Sequence, residues 1–258
     1  MQSQEETKKP LAVIADASIM VSTRKLFKSF GSNHVLRGFD LDLFKGENLV
    51  VLGKSGSGKS VLIKCMVGLL QPDSGNVEVF GKNIPALNQE ELDHIRVRIG
   101  FLFQSSALYD SMTVRENLEF PLRRHWINKD KEEVEALVLE ALDNVGLRHA
   151  IDLMPSELSG GMRKRIGLAR TLILKPDIIL YDEPTTGLDP ITGREISRLI
   201  LDIQHRYNTS SIIITHDMGC VRIVANRIMV LSDGVCYAEG TYDELSQSKD
   251  PVIQPFFA

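Results

Sequence analysis

Cysteine is scarce. The 258-residue chain has three, Cys65, Cys220 and Cys236, widely spaced and odd in number. No CxxC pair and no Cys/His ligand spacing occurs, so neither a disulfide framework nor a zinc site is expected, and the thiols read as packed or free in a reducing compartment. Long apolar runs are also missing. A bilayer-spanning helix needs about 20 consecutive apolar residues, and runs such as Leu11–Ala15 (LAVIA) are far too short. The opening MQSQEETKKP carries both signs of charge and no apolar segment, so no secretory leader is expected. A basic excess is absent: 30 Lys and Arg against 34 Asp and Glu leave a net charge of -4. That balance argues against a nucleic-acid partner.

What remains is an ordinary globular composition, 43% apolar and 25% charged, with no internal repeat or low-complexity linker. Residues 1–17 read as a flexible N-terminal tail. From Ile19 to about Phe44 short strand signals dominate; Phe39, Leu41 and Leu43 alternate with Asp40 and Asp42, the period of a half-buried strand. Val77 and Val79, after the turn at Pro72–Gly75, suggest another. Asn48–Leu52 (NLVVL), Asp177–Tyr181 (DIILY), Ser211–Thr215 (SIIIT) and Arg227–Leu231 (RIMVL) are apolar runs expected in a parallel sheet buried on both faces. Asp233-Gly234 reads as a hairpin turn before Val235–Ala238. Between 105 and 157 the β-branched runs give way to helical spacing. Val134, Leu137, Val138, Ala141, Leu142 and Val145 share one face, and Gly146 is a stop.

Three segments carry chemistry. Gly53-Lys54-Ser55-Gly56-Ser57-Gly58-Lys59-Ser60 fits G-x-x-x-x-G-K-[ST] and lies between a strand and the helical pattern VLIKCMVGLL. Glycines let backbone N–H groups converge on a phosphate, and the helix N-terminus adds a favourable dipole. Lys59 then neutralises β/γ-phosphate charge and the Ser60 hydroxyl reaches Mg²⁺. Ile178-Ile179-Leu180-Tyr181-Asp182-Glu183 is a strand ending in two carboxylates. Alone that is solvated turn charge; after a phosphate loop, Asp182 is a Mg²⁺ ligand and Glu183 a general base for the attacking water. Leu158-Ser159-Gly160-Gly161-Met162 opens a helix whose apolar side is Ile166, Ala169, Leu172 and Ile173. Ser159 is its expected cap, leaving glycine amides as a second phosphate-facing dipole.

Together these segments resemble the signature of ATP-binding-cassette (ABC) ATPases, over nearly the whole chain from about Ile19 to Leu245. The resemblance implies an α/β fold: a P-loop NTPase (RecA-like) core, an antiparallel β subdomain and an inserted α-helical subdomain. Residues 18–258 would form a single domain, with the ATP core at 18–104 and 158–245, the helical subdomain at 105–157 and a short C-terminal tail at 246–258. It implies ATP and Mg²⁺ as cofactors and further roles by position. Gln104 stands at the Q-loop glutamine, a Mg²⁺ and water contact. Gly187-Leu188-Asp189 matches the D-loop, His216 the switch histidine that meets the γ-phosphate, and Phe30 the aromatic that stacks on adenine. In this family the signature completes the ATP site of another subunit, so Ser159, Gly160, Gly161 and Asp189 would act across a homodimer. Met162 stands where most import ATPases have Gln.

The runs LFQSSALYDSMTVRENLEFPLR and EPTTGLDPIT, with Met154-Pro155-Ser156-Glu157 before LSGGM, resemble the Mla-type (MCE-associated) lipid-transport ATPases. This implies an ATPase that powers phospholipid transport between bacterial membranes. Its partners would be integral-membrane permease subunits, an MCE-domain lipid-binding protein and a STAS-domain subunit. The chain would sit in the cytoplasm, peripheral on the inner face of the cell membrane. Residues 104–122 would form much of the permease groove; Leu108, Met112, Val114, Leu118 and Phe120 fit either that groove or local core. Asn128–Glu135 reads as a solvated helix face. The alternative reading is the ATPase of an importer for amino acids or another small solute.

Overall fold

A computed structural model describes residues 18–124 and 130–257. The expected N-terminal tail at 1–17 and the start of the charged stretch at 128 lie outside them. Two sheets organise the chain. The first is antiparallel, in the order β2 (Asn33–Phe44), β1 (Ile19–Phe30), β4 (Ser74–Val79), β5 (Lys82–Asn83). The second has the order β10 (Val235–Gly240), β9 (Arg227–Ser232), β3 (Asn48–Leu52), β8 (Ser210–Ile214), β7 (Ile178–Asp182), β6 (Ile99–Leu102). Every pair in it is parallel except the β9–β10 hairpin, whose turn residues Asp233 and Gly234 have φ of 50° and 79°.

The apolar runs are continuous because both sheet faces are covered. Leu49 and Val51 of β3, Ile178 and Leu180 of β7, and Ile212 and Ile214 of β8 point into a core shared with the antiparallel sheet and helix α1 (Lys59–Met66). Their neighbours Val50, Leu52, Ile179, Tyr181 and Ile213 enter a second core on the other face. That core is built from α5 (Gly160–Leu172), α6 (Pro190–Tyr207) and α7 (Met218–Val224). Side chains alternate across a strand, so one β-branched run serves both layers.

Helix α2 (Gln89–Val97) precedes β6; α3 (Val114–Arg124) and α4 (Lys131–Asn144) follow it as the helical insertion. Asp130 opens α4 by accepting from the Glu133 amide at 2.8 Å, and its burial follows the expected stripe at Val138, Ala141 and Leu142. Gly146, at φ 69°, follows the helix. Val114 and Leu118 of α3 are core residues, whereas Met112 and Phe120 line a surface cavity with Glu116, Arg123 and Arg124. Beyond β10 come α8 (Tyr242–Ser246) and α9 (Gln254–Phe257). Buried Ile253 and a Tyr237–Asp250 hydrogen bond of 3.0 Å fasten this end to the body.

Candidate functional site

β3 ends at Leu52, and the chain turns through Gly53–Gly58 into α1. Gly56 and Gly58 have φ of 77° and 105°, the left-handed region that costs a side chain energy. Gly53 is closely packed: an added Cβ would lie 2.5 Å from Ser57 Oγ and 2.8 Å from the Leu231 carbonyl oxygen. The buried Lys59 ammonium arches back under the loop, donating to the carbonyls of Gly53 at 2.8 Å and Lys54 at 3.0 Å. Burial pushes its pKa down, against the pull of Glu183 and Asp182. Ser60 is exposed in the first turn. Beside the loop a cavity of about 470 Å³ is lined by Lys54, Ser55, Gly56 and Ser57, and by Asn33, His34 and Val35 of β2.

The carboxylates stand at the C-terminal end of β7, the edge where parallel sheets receive ligands. Asp182 is half-buried, and its pKa is raised by burial and then by the charge of Glu183, opposed by Lys59, Lys164 and Lys64. Glu183 has φ 50°, a strained backbone for a residue with a side chain. Its amide still donates to the Ile214 carbonyl of β8 at 2.8 Å. The Thr186 hydroxyl donates to Oε2 at 3.1 Å, and His216 Nδ1 lies 2.9 Å from Oε1. A carboxylate only accepts, so Nδ1 carries the proton in that contact. His216 sits just past β8, its side chain 71% exposed, while that of Glu183 is only 15% exposed.

The structure therefore brings together the glycine loop, Lys59, Ser60, Asp182, Glu183 and His216. Gln104 lies just past β6, its side chain exposed, and its carbonyl joins the group through Lys164. Phe30 is 49% exposed at the β1–β2 tip, with the Lys28 ammonium 5.5 Å from its ring centre. The remaining predicted residues form a separate exposed patch. Ser159 caps α5 by accepting from the Met162 amide at 3.2 Å. Asp189 caps α6, accepting from the Ile191 and Thr192 amides and the Thr192 hydroxyl, and these bonds hold its carboxyl below the usual range. The patch is continuous: a Cβ on Gly161 would meet Thr192 Cγ2 at 2.7 Å, and one on Gly160 would meet Leu188 at 3.6 Å.

The cradle fits a Mg²⁺-nucleotide. Gly53 and Gly58 leave no room for side chains, since a Cβ on Gly58 would come within 2.7 Å of Val35. Among the described residues no group of three or more His, Cys, Asp or Glu is placed so that it could hold a metal ion by itself. Mg²⁺ suits one or two carboxylates plus a hydroxyl and phosphate oxygens, a donor set that Asp182 and Ser60 would fit. Lys164 was not foreseen. Nothing in its neighbourhood marks it out: it lies three and four residues before Gly167 and Leu168 on the buried face of α5, a burial that only the folded chain reveals.

The sequence profile described as "ABC transporter" matches residues 36–186, and the chain belongs to that family. It is an ATP-binding, ATP-hydrolysing transporter subunit. Similar curated proteins include the intermembrane phospholipid transport system ATP-binding protein MlaF of Haemophilus influenzae, 38% identical over 92% of this chain and 89% of its own. The TRIGALACTOSYLDIACYLGLYCEROL 3 protein of Arabidopsis thaliana is 37% identical over 93% of this chain and 74% of its own. The probable ribonucleotide transport ATP-binding protein mkl of Mycobacterium leprae is 40% identical over 92% and 68%. Among solved structures, the dimeric ATP-binding cassette MJ0796 bound to ADP and Pi has a TM-score of 0.78 at 32% identity, covering 86% of this chain and 98% of that one. The cbiO1 protein of Clostridium perfringens has a TM-score of 0.83 at 28% identity, covering 90% and 92%.

Proposed function

We propose that this chain powers phospholipid transport between bacterial membranes, working as two identical copies on the inner face of the cell membrane beneath a membrane-spanning permease. The observation that carries the cargo is the 38% identity to the phospholipid-transport protein MlaF across 92% of the chain. No helix among the described residues is long and apolar enough to cross a membrane, so the membrane half is assigned to another chain. The Met112–Phe120 cavity supports docking of that permease. An MCE-domain lipid carrier and a STAS-domain subunit complete the assembly. A small-solute importer would share the nucleotide site but is not favoured by the MlaF likeness.

The residues divide the work as follows. Phe30 presents a face for the adenine ring, and the amides of the Gly53–Gly58 loop surround the phosphates. Lys59, already held under the loop, neutralises β/γ-phosphate charge. Ser60, Asp182 and Gln104 would hold Mg²⁺, which would supply positive charge to offset that of the phosphates. Glu183 accepts the proton of the attacking water, and His216, hydrogen-bonded to it, reaches toward the γ-phosphate. Ser159, Gly160, Gly161 and Asp189 lie on an exposed patch, which suits action on the partner copy's nucleotide. The dimeric form of a related cassette supports the same arrangement. Contacts made only in the closed dimer tie closure to ATP and reopening to hydrolysis.

The test is purification of the tagged full chain from membranes, with identification of bound proteins and lipids. An MCE-domain protein and bound phospholipid are expected; a periplasmic solute-binding protein without phospholipid would overturn the reading.

A further inference from the structure

One buried side chain joins two motifs that lie far apart in sequence. Lys164, in the second turn of α5, is 4% exposed. Its Nζ donates to the Gln104 carbonyl and, at 3.1 Å, to the Glu183 carbonyl. Burial pushes this ammonium's pKa down, while Asp182 and Glu183 pull it back. The backbone on each side is unusual. Glu183 is left-handed at φ 50°, and beyond Gln104 so are Ser106 and Ala107, at 63° and 47°.

The same face of α5 follows this segment for two more turns. At Gly167 an added Cβ would meet Ser106 Cβ at 2.9 Å and Leu102 Cδ1 at 3.0 Å, so helix and segment are in direct contact. At Arg170 the guanidinium donates to the Ser106 and Ala107 carbonyls, both at 2.8 Å. Buried Asn117 of α3 continues the hold, donating to the carbonyls of Tyr109, Met112 and Thr113. Residues 104–113 are thus fastened to α5 and α3 rather than draped over them.

We infer that Lys164 is a positioning residue for hydrolysis: by gripping the Gln104 and Glu183 carbonyls with one ammonium, it sets the Glu183 carboxylate and makes it respond to displacement of the 104–107 segment. The inference rests on Glu183 acting on the attacking water, as proposed above. Neither carbonyl can be mutated away, so the lysine is the side chain through which the link is tested.

The experiment measures steady-state ATP turnover, mant-ATP affinity and thermal unfolding for K164M, K164R and K164Q in the complex purified through the full chain. For K164M the turnover number is expected to fall on the order of 10²-fold, as for a misplacement of about 1 Å at a reacting centre. Affinity for mant-ATP should stay within about threefold, because the loss is confined to the chemical step. K164R and K164Q keep donors and should recover part of the rate; if K164M does not fold, their rates relative to the parent carry the test. The inference is overturned by parental turnover in K164M, by equal losses of turnover and affinity, or by K164R and K164Q no better than K164M. Glu183→Gln is measured alongside. If that variant keeps turning over, the reading of Glu183 itself fails; if it is inactive while the Lys164 variants are not, only the positioning role does.

Discussion

Replacing Glu183 with Gln removes one negative charge and almost no volume. In the structure Oε2 accepts from the Thr186 hydroxyl at 3.1 Å, and Oε1 lies 2.9 Å from His216 Nδ1. A Gln amide keeps both contacts: its oxygen accepts from Thr186, and its NH₂ donates to Nδ1 once the imidazole carries its proton on Nε2. The bonds that hold the strained backbone, from its amide to Ile214 and from Lys164 to its carbonyl, involve no side-chain atom of Glu183. What the substitution removes is basicity. A positioned general base contributes about 10²–10⁴-fold, or roughly 3–6 kcal/mol at about 1.4 kcal/mol per tenfold. The lost charge also relieves Asp182, whose pKa is raised by burial and then by Glu183. ATP affinity should therefore be kept or improved. Phosphate release gives the turnover number and mant-ATP titration the affinity. Turnover within about tenfold of the parent, or a loss of binding that accounts for the loss of rate, would refute the reasoning.

Two further outcomes are expected. Gly53→Ala places a methyl 2.8 Å from the Leu231 carbonyl, a backbone atom that cannot swing aside, and 2.5 Å from Ser57 Oγ. The loop must open, and mant-ATP binding should weaken by at least about fivefold, consistent with overpacking costs of about 1–3 kcal/mol; parental affinity would contradict this. Arg227→Met removes the partner of Glu47, which is 0% exposed and takes two hydrogen bonds from that guanidinium, at 2.7 and 2.9 Å. Stranding a buried carboxylate costs about 3–5 kcal/mol, so the thermal midpoint should fall by roughly 10 °C in a chain of this size, read by calorimetry or circular dichroism.

The parallel strands were legible because burial on both faces writes itself as uninterrupted Ile, Val and Leu, as in β3 and β8. The glycine loop and Asp233-Gly234 were legible because they rely on backbone conformations that few residues adopt. Ends were less so: the run Asp177–Tyr181 is offset by one residue from β7, which spans Ile178–Asp182. Three features could not be read locally. The left-handed Glu183 is held by β8 and Lys164, and the Arg227–Glu47 pair joins residues 180 positions apart. Lys164 looks like any helix lysine until the Gln104 carbonyl is brought over it. Each depends on a partner distant in sequence, which no periodicity reports.

The claim that carries the account is that each ATP site is completed by the second copy. Two inactive variants test it: Lys59→Ala, which disables the phosphate loop, and Ser159→Arg, which blocks the exposed signature patch. A mixed dimer pairs the intact loop of one with the intact signature of the other. Random exchange of equal amounts makes half the dimers mixed, each with one good site of two, so about a quarter of parental turnover should return if sites act independently. A mixture as inactive as its components, with exchange verified by differential tagging, would contradict the account.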